Sequence, residues 1–233
     1  MISFKGRHTR RPIILQCVRW YCSYALSYRN IEEMMAERGL VVVHYAPKLE
    51  KAFHKKKKRP GVRWRMDETY LKVRAQWRYY YRAVDKAGDT IDFLLTAKRD
   101  TKAALRFFNK AVGRNGKPSL VNIDKSGANN AGIKQFNDVN NRRVKIRQCK
   151  YLNNIVEQVM RHSDHRRIKR ITRLMLGFNS FRTAQSTLAG IELVAMLKKG
   201  QMKKNRTGDL TPAEQFYALA AQVEYRFVVL PNK

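Results

Sequence analysis

The chain has 233 residues, 44% of them hydrophobic, which suits one main domain with small appendages and a packed core. Its 49 Lys and Arg against 18 Asp and Glu give a formal net charge of +31 at pH 7. Self-repulsion on that scale calls for a polyanion, and nucleic acid is expected over a membrane surface. No apolar run approaches the roughly 18–20 residues of a spanning helix, and no signal peptide or lipidation motif is evident. Cys17, Cys22 and Cys149 lack zinc-site spacing and are expected to be free thiols in a reducing cytoplasm.

In chain order, residues 12–25 place Ile14, Val18, Tyr21 and Ala25 on one helical face, with Pro12 suited to the first turn. Ser27 is a candidate N-cap for a second short helix through Ile31, Met34 and Met35, ending at Gly39. Together they suggest a helix-turn-helix-like element. Residues 51–65 then carry eight basic residues and no acid, and Pro60-Gly61 marks a boundary, so 51–61 reads as a basic linker. Next come three strands, Arg63–Val73, Trp77–Val84 and Thr90–Thr96, joined by short turns into an antiparallel meander.

Asp100 can cap a helix over 101–112, with Gly113 as its stop. A fourth strand, Ser119–Ile123, ends at Asp124; a helix over 129–137, a fifth strand Arg143–Cys149 and a helix from about Asn153 follow. The order β-β-β-α-β-α-β-α predicts a mixed five-stranded sheet with helices on its faces, the α/β arrangement of RNase H-like folds. Ala184, Leu188, Ile191 and Val194 line a further helix reaching Gly200, and 201–210 reads as a polar linker. Thr211-Pro212-Ala213-Glu214 is a capping box opening a helix to about Ala221. The expected organisation is therefore a helical DNA-binding segment 1–50, the linker 51–61, a catalytic domain 62–200, and a linker with a C-terminal helix or tail over 201–233.

With 18 acids in so basic a chain, each position carries information. Asp67 lies inside the first strand, where a carboxylate is costly to bury unless paired or metal-bound; a salt bridge to a nearby Arg is the structural alternative. Asp124 ends the fourth strand, where open α/β sheets build their sites, although a helix or turn cap is equally served by an Asp there. Glu157 lies off the apolar face of Ile155, Val156, Val159 and Met160, a place that most often means simple surface exposure. In an RNase H-like sheet the first and fourth strands are adjacent, so Asp67 and Asp124 can approach each other and the following helix can supply Glu157. Three hard oxygen ligands suit Mg²⁺ or Mn²⁺, expected as two ions. No Ser/His/Asp or Cys/His set and no Walker-type loop competes.

The strings RMDETY (65–70), YRAVDKAGDTIDFLLT (81–96), VNIDKSGAN (121–129), RQCKYLNNIVEQ (147–158) and GFNSFRTA (177–184) resemble the insertion-sequence-six family of bacterial transposases. That resemblance implies an RNase H-like core with catalytic acids at Asp67, Asp124 and Glu157. It also implies Mg²⁺-dependent cleavage and strand transfer at terminal inverted repeats, replicative cointegrate formation, and a dimer or larger assembly on double-stranded DNA in the bacterial cytoplasm. Lys55, Lys56, Lys57, Lys58, Arg59, Arg161, Arg166 and Lys169 are the expected DNA contacts.

Two departures from the family pattern point to reduced activity. Leu40–His44 runs almost directly into Tyr45-Ala46-Pro47, where relatives carry a recognition helix. Residues 159–163 form an insertion after Glu157; five residues turn a helix by roughly 500°, a net offset of about 140°. Lys169, the basic residue at the family position, is then rotated away from Glu157, and Arg161 at i+4 shares its face instead. A catalytically impaired DNA-binding remnant and an RNase H-like nuclease are the alternative readings.

Overall fold

The computed structural model describes residues 11–24, 26, 30, 31, 33, 34, 46–125, 127–149, 164–174, 178, 180–203 and 210–225. The chain forms two compact units, Arg59–Lys169 and a second made of Met1–Lys58 with Arg170–Lys233.

The first unit is built on the sheet. Strands β1 (Arg63–Val73), β2 (Gln76–Asp85) and β3 (Thr90–Thr96) form the expected antiparallel meander. β4 (Leu120–Ile123) and β5 (Lys145–Gln148) add in parallel on the other side of β1, giving the order β3-β2-β1-β4-β5. This is the RNase H-like topology, and it makes β1 the central strand. Helix α3 (Thr101–Asn115) crosses over between β3 and β4, and α4 (Gly127–Val139) between β4 and β5. One face of the sheet supplies Trp64, Met66, Tyr81, Ala83, Val121 and Ile123 to a core completed by Phe107, Phe108, Ile133 and Phe136 from the two helices. Phe108 stands edge-on to both Trp64 and Phe136, an arrangement aromatic quadrupoles favour.

Local chemistry sets the joints. Asp85 closes the β2–β3 turn by accepting from the N–H groups of Ala87 and Asp89, both at 2.9 Å, while its other oxygen takes the Gly61 N–H at 2.7 Å. Asp100 caps α3 as expected, accepting from the Ala103 N–H at 2.8 Å. The helix passes through Gly113, however, and stops at Gly116, whose φ of 86° ends it and whose N–H reaches the Val112 carbonyl. Asn137 ties the end of α4 to the start of β5, its amide both accepting from and donating to the Val144 backbone.

The second unit is helical: α1 (Arg11–Ser23), α2 (Ala46–Lys56), α6 (Phe181–Lys198) and α7 (Pro212–Tyr225), with α6 packed against the other three. α5 (Asp164–Leu174) begins in the first unit and ends in this one. The segment 51–61, read as a linker, is helical through Lys56, because Leu49 and Phe53, one turn apart, are both fully buried. Beyond it Lys57 pairs with Met202, the Lys58 N–H reaches the Gln201 carbonyl, and the Lys203 N–H reaches the Lys56 carbonyl, so residues 201–203 are tied down as well. The capping box forms at α7, with the Thr211 N–H donating to Glu214 at 2.7 Å. Cys17 and Cys22 are buried thiols, as expected, and burial pushes Cys22 up to about 12. Of the expected second N-terminal helix, Asn30, Ile31, Glu33 and Met34 are helical; the rest of that segment, the helix after Asn153 and residues 226–233 lie outside the described residues.

Candidate active site

β1 is paired on both edges, antiparallel to β2 and parallel to β4, and Asp67 lies near its middle, directly across from Arg82. The parallel register sets Arg63 beside Leu120, Trp64 beside Val121 and Arg65 beside Asn122. Extending it by two residues brings Asp67 level with Asp124, the first residue past β4. Neighbouring strands lie about 4.8 Å apart, and residues level in a parallel pair project to the same face, so two carboxylates so placed can share an ion. Trp64 and Met66 point into the helix-covered core, so Asp67, one residue on, belongs to the opposite face. The Asp67 carboxylate accepts from the Glu68 N–H at 2.9 Å and is partly exposed. The Asp124 side chain is 37% exposed.

Glu68 is the residue that sequence reasoning passed over. It faces the core side of the sheet, opposite Tyr81, and its side chain is only 5% exposed. One carboxylate oxygen meets the Arg99 guanidinium, and the other accepts from Asn129 Nδ2 at 2.6 Å. Arg99, in the connection between β3 and α3, also approaches Asp124 at 3.9 Å, too long for a hydrogen bond but close enough for attraction. Burial works against the Arg99 charge, yet the carboxylates of Glu68 and then Asp124 outweigh it and hold the guanidinium above its ordinary value. Burial, reinforced by Glu68, likewise pushes the Tyr81 hydroxyl up to about 12. A buried carboxylate on one face of β1 is thus bridged through Arg99 to the exposed one at the end of β4. The signal in sequence was the period of two: adjacent acids on a strand must face opposite ways.

The other expected site residues are distributed as follows. Glu157 and Arg161 lie outside the described residues, and Arg166 is in α5 with its side chain outside them. Lys55, Lys58 and Arg59 are exposed and Lys56 is half-buried, whereas Lys57 is only 7% exposed where its backbone pairs with Met202. The basic run therefore does not present five equivalent cations. Lys169 is exposed, with its ammonium 4.9 Å from the Tyr70 ring centre.

A sheet of order β3-β2-β1-β4-β5 with one acid in the central strand and another at the end of its parallel neighbour is the framework of RNase H-like polynucleotidyl transferases. A DDE-domain family model of IS240-type transposases matches residues 61–201. The transposase for the insertion sequence-like element IS431mec of Staphylococcus aureus is 34% identical over 240 residues, covering 95% of this chain and 100% of that protein. The same identity and coverage hold for the transposase of insertion sequence element IS257 in transposon Tn4003 of Staphylococcus aureus. The chain belongs to the insertion-sequence-six family of DDE transposases, as its motifs implied.

Among solved structures, the HTLV-2 integrase catalytic core in complex with magnesium aligns at a TM-score of 0.43 and 17% identity, over 67% of this chain and 97% of that one. The integrase of a simian T-cell lymphotropic virus intasome aligns at 0.44 and 14%, over 75% and 58%. The fold assignment rests on the strand order itself. No helix among the described residues is long and apolar enough to cross a membrane.

Proposed function

We propose that the chain cleaves and joins double-stranded DNA at the terminal inverted repeats of an insertion element, in replicative, cointegrate-forming transposition, with Asp67, Asp124 and Glu157 as its acid set. The observation that supports this reading is the parallel β1–β4 pairing, whose register, continued two residues past Arg65 and Asn122, would set Asp67 level with Asp124. The donor set fits a hard divalent cation: two carboxylates, both accessible in part, on backbones held by adjacent strands. Mg²⁺ or Mn²⁺, expected as two ions bound by these acids, would supply activation of the attacking hydroxyl or water and stabilisation of the leaving oxygen.

The protein's own part is preorganisation. The Asp67 backbone is held across from Arg82 by the pairing of β1 with β2; Asp124 stands where β4 stops pairing and is partly exposed. Glu157, on the chain beyond β5, is the third member by its place in the RQCKYLNNIVEQ string. Lys55, Lys56, Lys58, Arg59, Arg161, Arg166 and Lys169 serve as phosphate contacts, with Lys57 the weakest member because it is buried. A homodimer or larger assembly in the bacterial cytoplasm holds the two element ends together. The insertion at 159–163 slows the chemistry, so a version lacking those five residues joins strands faster.

The test is Mg²⁺-dependent nicking and joining of a labelled inverted-repeat duplex. Asp67→Ala, Asp124→Ala and Glu157→Ala are each expected to abolish both steps while leaving DNA binding in place. Nicking by Asp67→Ala at the unaltered rate overturns the assignment, and nicking without any joining favours the nuclease reading.

A further inference from the structure

The tip of the β1–β2 hairpin has no part in the acid site, yet its composition is unusual for a surface turn. Tyr70 and Trp77 are 53% and 52% exposed, and their rings meet edge-to-face at 4.9 Å and 84°. They project from the same face: Tyr70 is opposite Tyr79, and Lys72, two residues on, is opposite Trp77. Each ring is also faced by a cation, Lys72 Nζ at 5.0 Å from Trp77 and Lys169 Nζ at 4.9 Å from Tyr70. Between Thr69 and Val84 the chain carries Lys72, Arg74, Arg78 and Arg82 and no acid.

The turn itself places Arg74 and Ala75 at φ of 49° and 60°, a left-handed pair that glycine or asparagine ordinarily fills. Left-handed backbone is unfavourable for non-glycine residues, so a basic side chain stands at the tip where glycine or asparagine would serve the turn better.

We infer that this tip is a stacking site for an unpaired base of DNA. The inference rests on the reading that the protein acts on DNA, and it names which part of that DNA the hairpin takes. Two rings at right angles form a corner in which a base can lie flat on one ring and against the edge of the other. Base faces are hidden in a paired duplex and open only where strands separate, so the corner selects unpaired nucleotides. Lys72 and Lys169 cover the ring faces through flexible stems; an arriving base displaces the ammonium groups, which swing to the flanking phosphates. A second copy of the chain is disfavoured as occupant, because it would set Lys72 and Lys169 against their own equivalents in a molecule of net charge +31.

The experiment compares the full chain with Tyr70→Ala/Trp77→Ala and Tyr70→Phe/Trp77→Phe. Binding is followed by fluorescence anisotropy on a blunt duplex and on the same duplex with a single-stranded tail, at fixed salt. Thermal melts are run in parallel. The alanine pair is expected to lose roughly 5- to 100-fold on the tailed probe and little on the blunt one, while the phenylalanine pair keeps the preference. Quenching of tryptophan emission by the tail should require Trp77 and disappear on an abasic tail.

Equal affinity of the wild type for both probes, or equal loss on both, overturns the inference while leaving the transposase reading intact. Binding to neither probe refutes that broader reading instead. A loss confined to anionic vesicles, or to self-association, assigns the tip to another partner and also overturns it.

Discussion

Helix α4 lies against α3 at Gly132, and Gly132→Ala is expected to destabilise the sheet unit despite improving helix propensity. A Cβ there would sit 2.9 Å from Ala104 Cβ, 2.9 Å from the Leu105 backbone nitrogen and 3.2 Å from the Ala104 carbonyl carbon. Ordinary carbon contacts are about 3.5–4.0 Å, so α4 must retreat by at least about half an ångström. None of the three atoms belongs to a side chain that can rotate away. Overpacking of this kind costs about 1–3 kcal/mol, and the rigid neighbours place this site in the upper half of that range. Replacing a helical glycine with alanine returns about 1 kcal/mol, leaving a net loss of about 1–2 kcal/mol.

Urea unfolding of both proteins reads the difference directly. The same displacement pulls Asn129, one turn upstream, from Glu68, and strand joining should fall in step with the loss of folded protein. Ala104→Gly removes only the first contact and should rescue part of the loss in the double variant. A Gly132→Ala protein as stable as the parent, or strictly additive effects with Ala104→Gly, would refute the reasoning.

Asn137→Asp keeps an acceptor for the Val144 N–H but loses the donor to its carbonyl, and is expected to cost about 1–3 kcal/mol in urea unfolding; an unchanged midpoint argues against the bridge between α4 and β5. Glu68→Gln removes the charge opposite Arg99 and should cost roughly 1–3 kcal/mol, less than a fully buried pair because Arg99 is 44% exposed. Joining activity per folded molecule should survive that change, unlike the loss expected for Asp67→Ala, and its abolition would place Glu68 among the reacting groups. At α7 the Thr211 N–H, and then its hydroxyl, hold the Glu214 carboxyl below its ordinary 4.5. Its folded value is the depressed one, so the capping contribution is present above 4.5 and is lost as pH falls through the folded value. Thr211→Ala should remove that acid-side dependence of helicity by circular dichroism, and an unchanged profile contradicts the linkage.

The elements that were legible in the sequence are those whose signals are local. The meander follows from period-two runs between turn residues, and the α3 and α7 caps follow from Asp100 and from Thr211 with Glu214. Two errors have local causes too. Gly113 looked like a stop, but a Cβ there would meet nothing within 4 Å, so that exposed position tolerates glycine without ending the helix. The run at 51–56 looked like a linker because lysine dominates its composition, whereas Leu49 and Phe53, spaced one turn apart, already marked a buried helical stripe.

What composition could not show is the partnership of Glu68 with Arg99 and Asn129, which joins a strand, a crossover connection and a helix across long sequence separations. It also gives the two adjacent acids of β1 opposite fates. Because the strand alternates, Asp67 is delivered to the face away from the core, while Glu68 is delivered to the core side, where an isolated charge would be expensive. Arg99 meets that cost and at the same time lies 3.9 Å from Asp124. The position of the crossover arginine is thus set from the core side by a residue one step along the chain from Asp67. A slip of β1 by one residue that put Glu68 across from Arg82, where Asp67 belongs, would leave Asp67 across from Ala83 on the core side. The Trp64 and Met66 side chains, both buried in the same core, hold the register against that slip. Apolar packing beneath the sheet therefore decides which of two neighbouring carboxylates meets Arg99 and which faces away from the core.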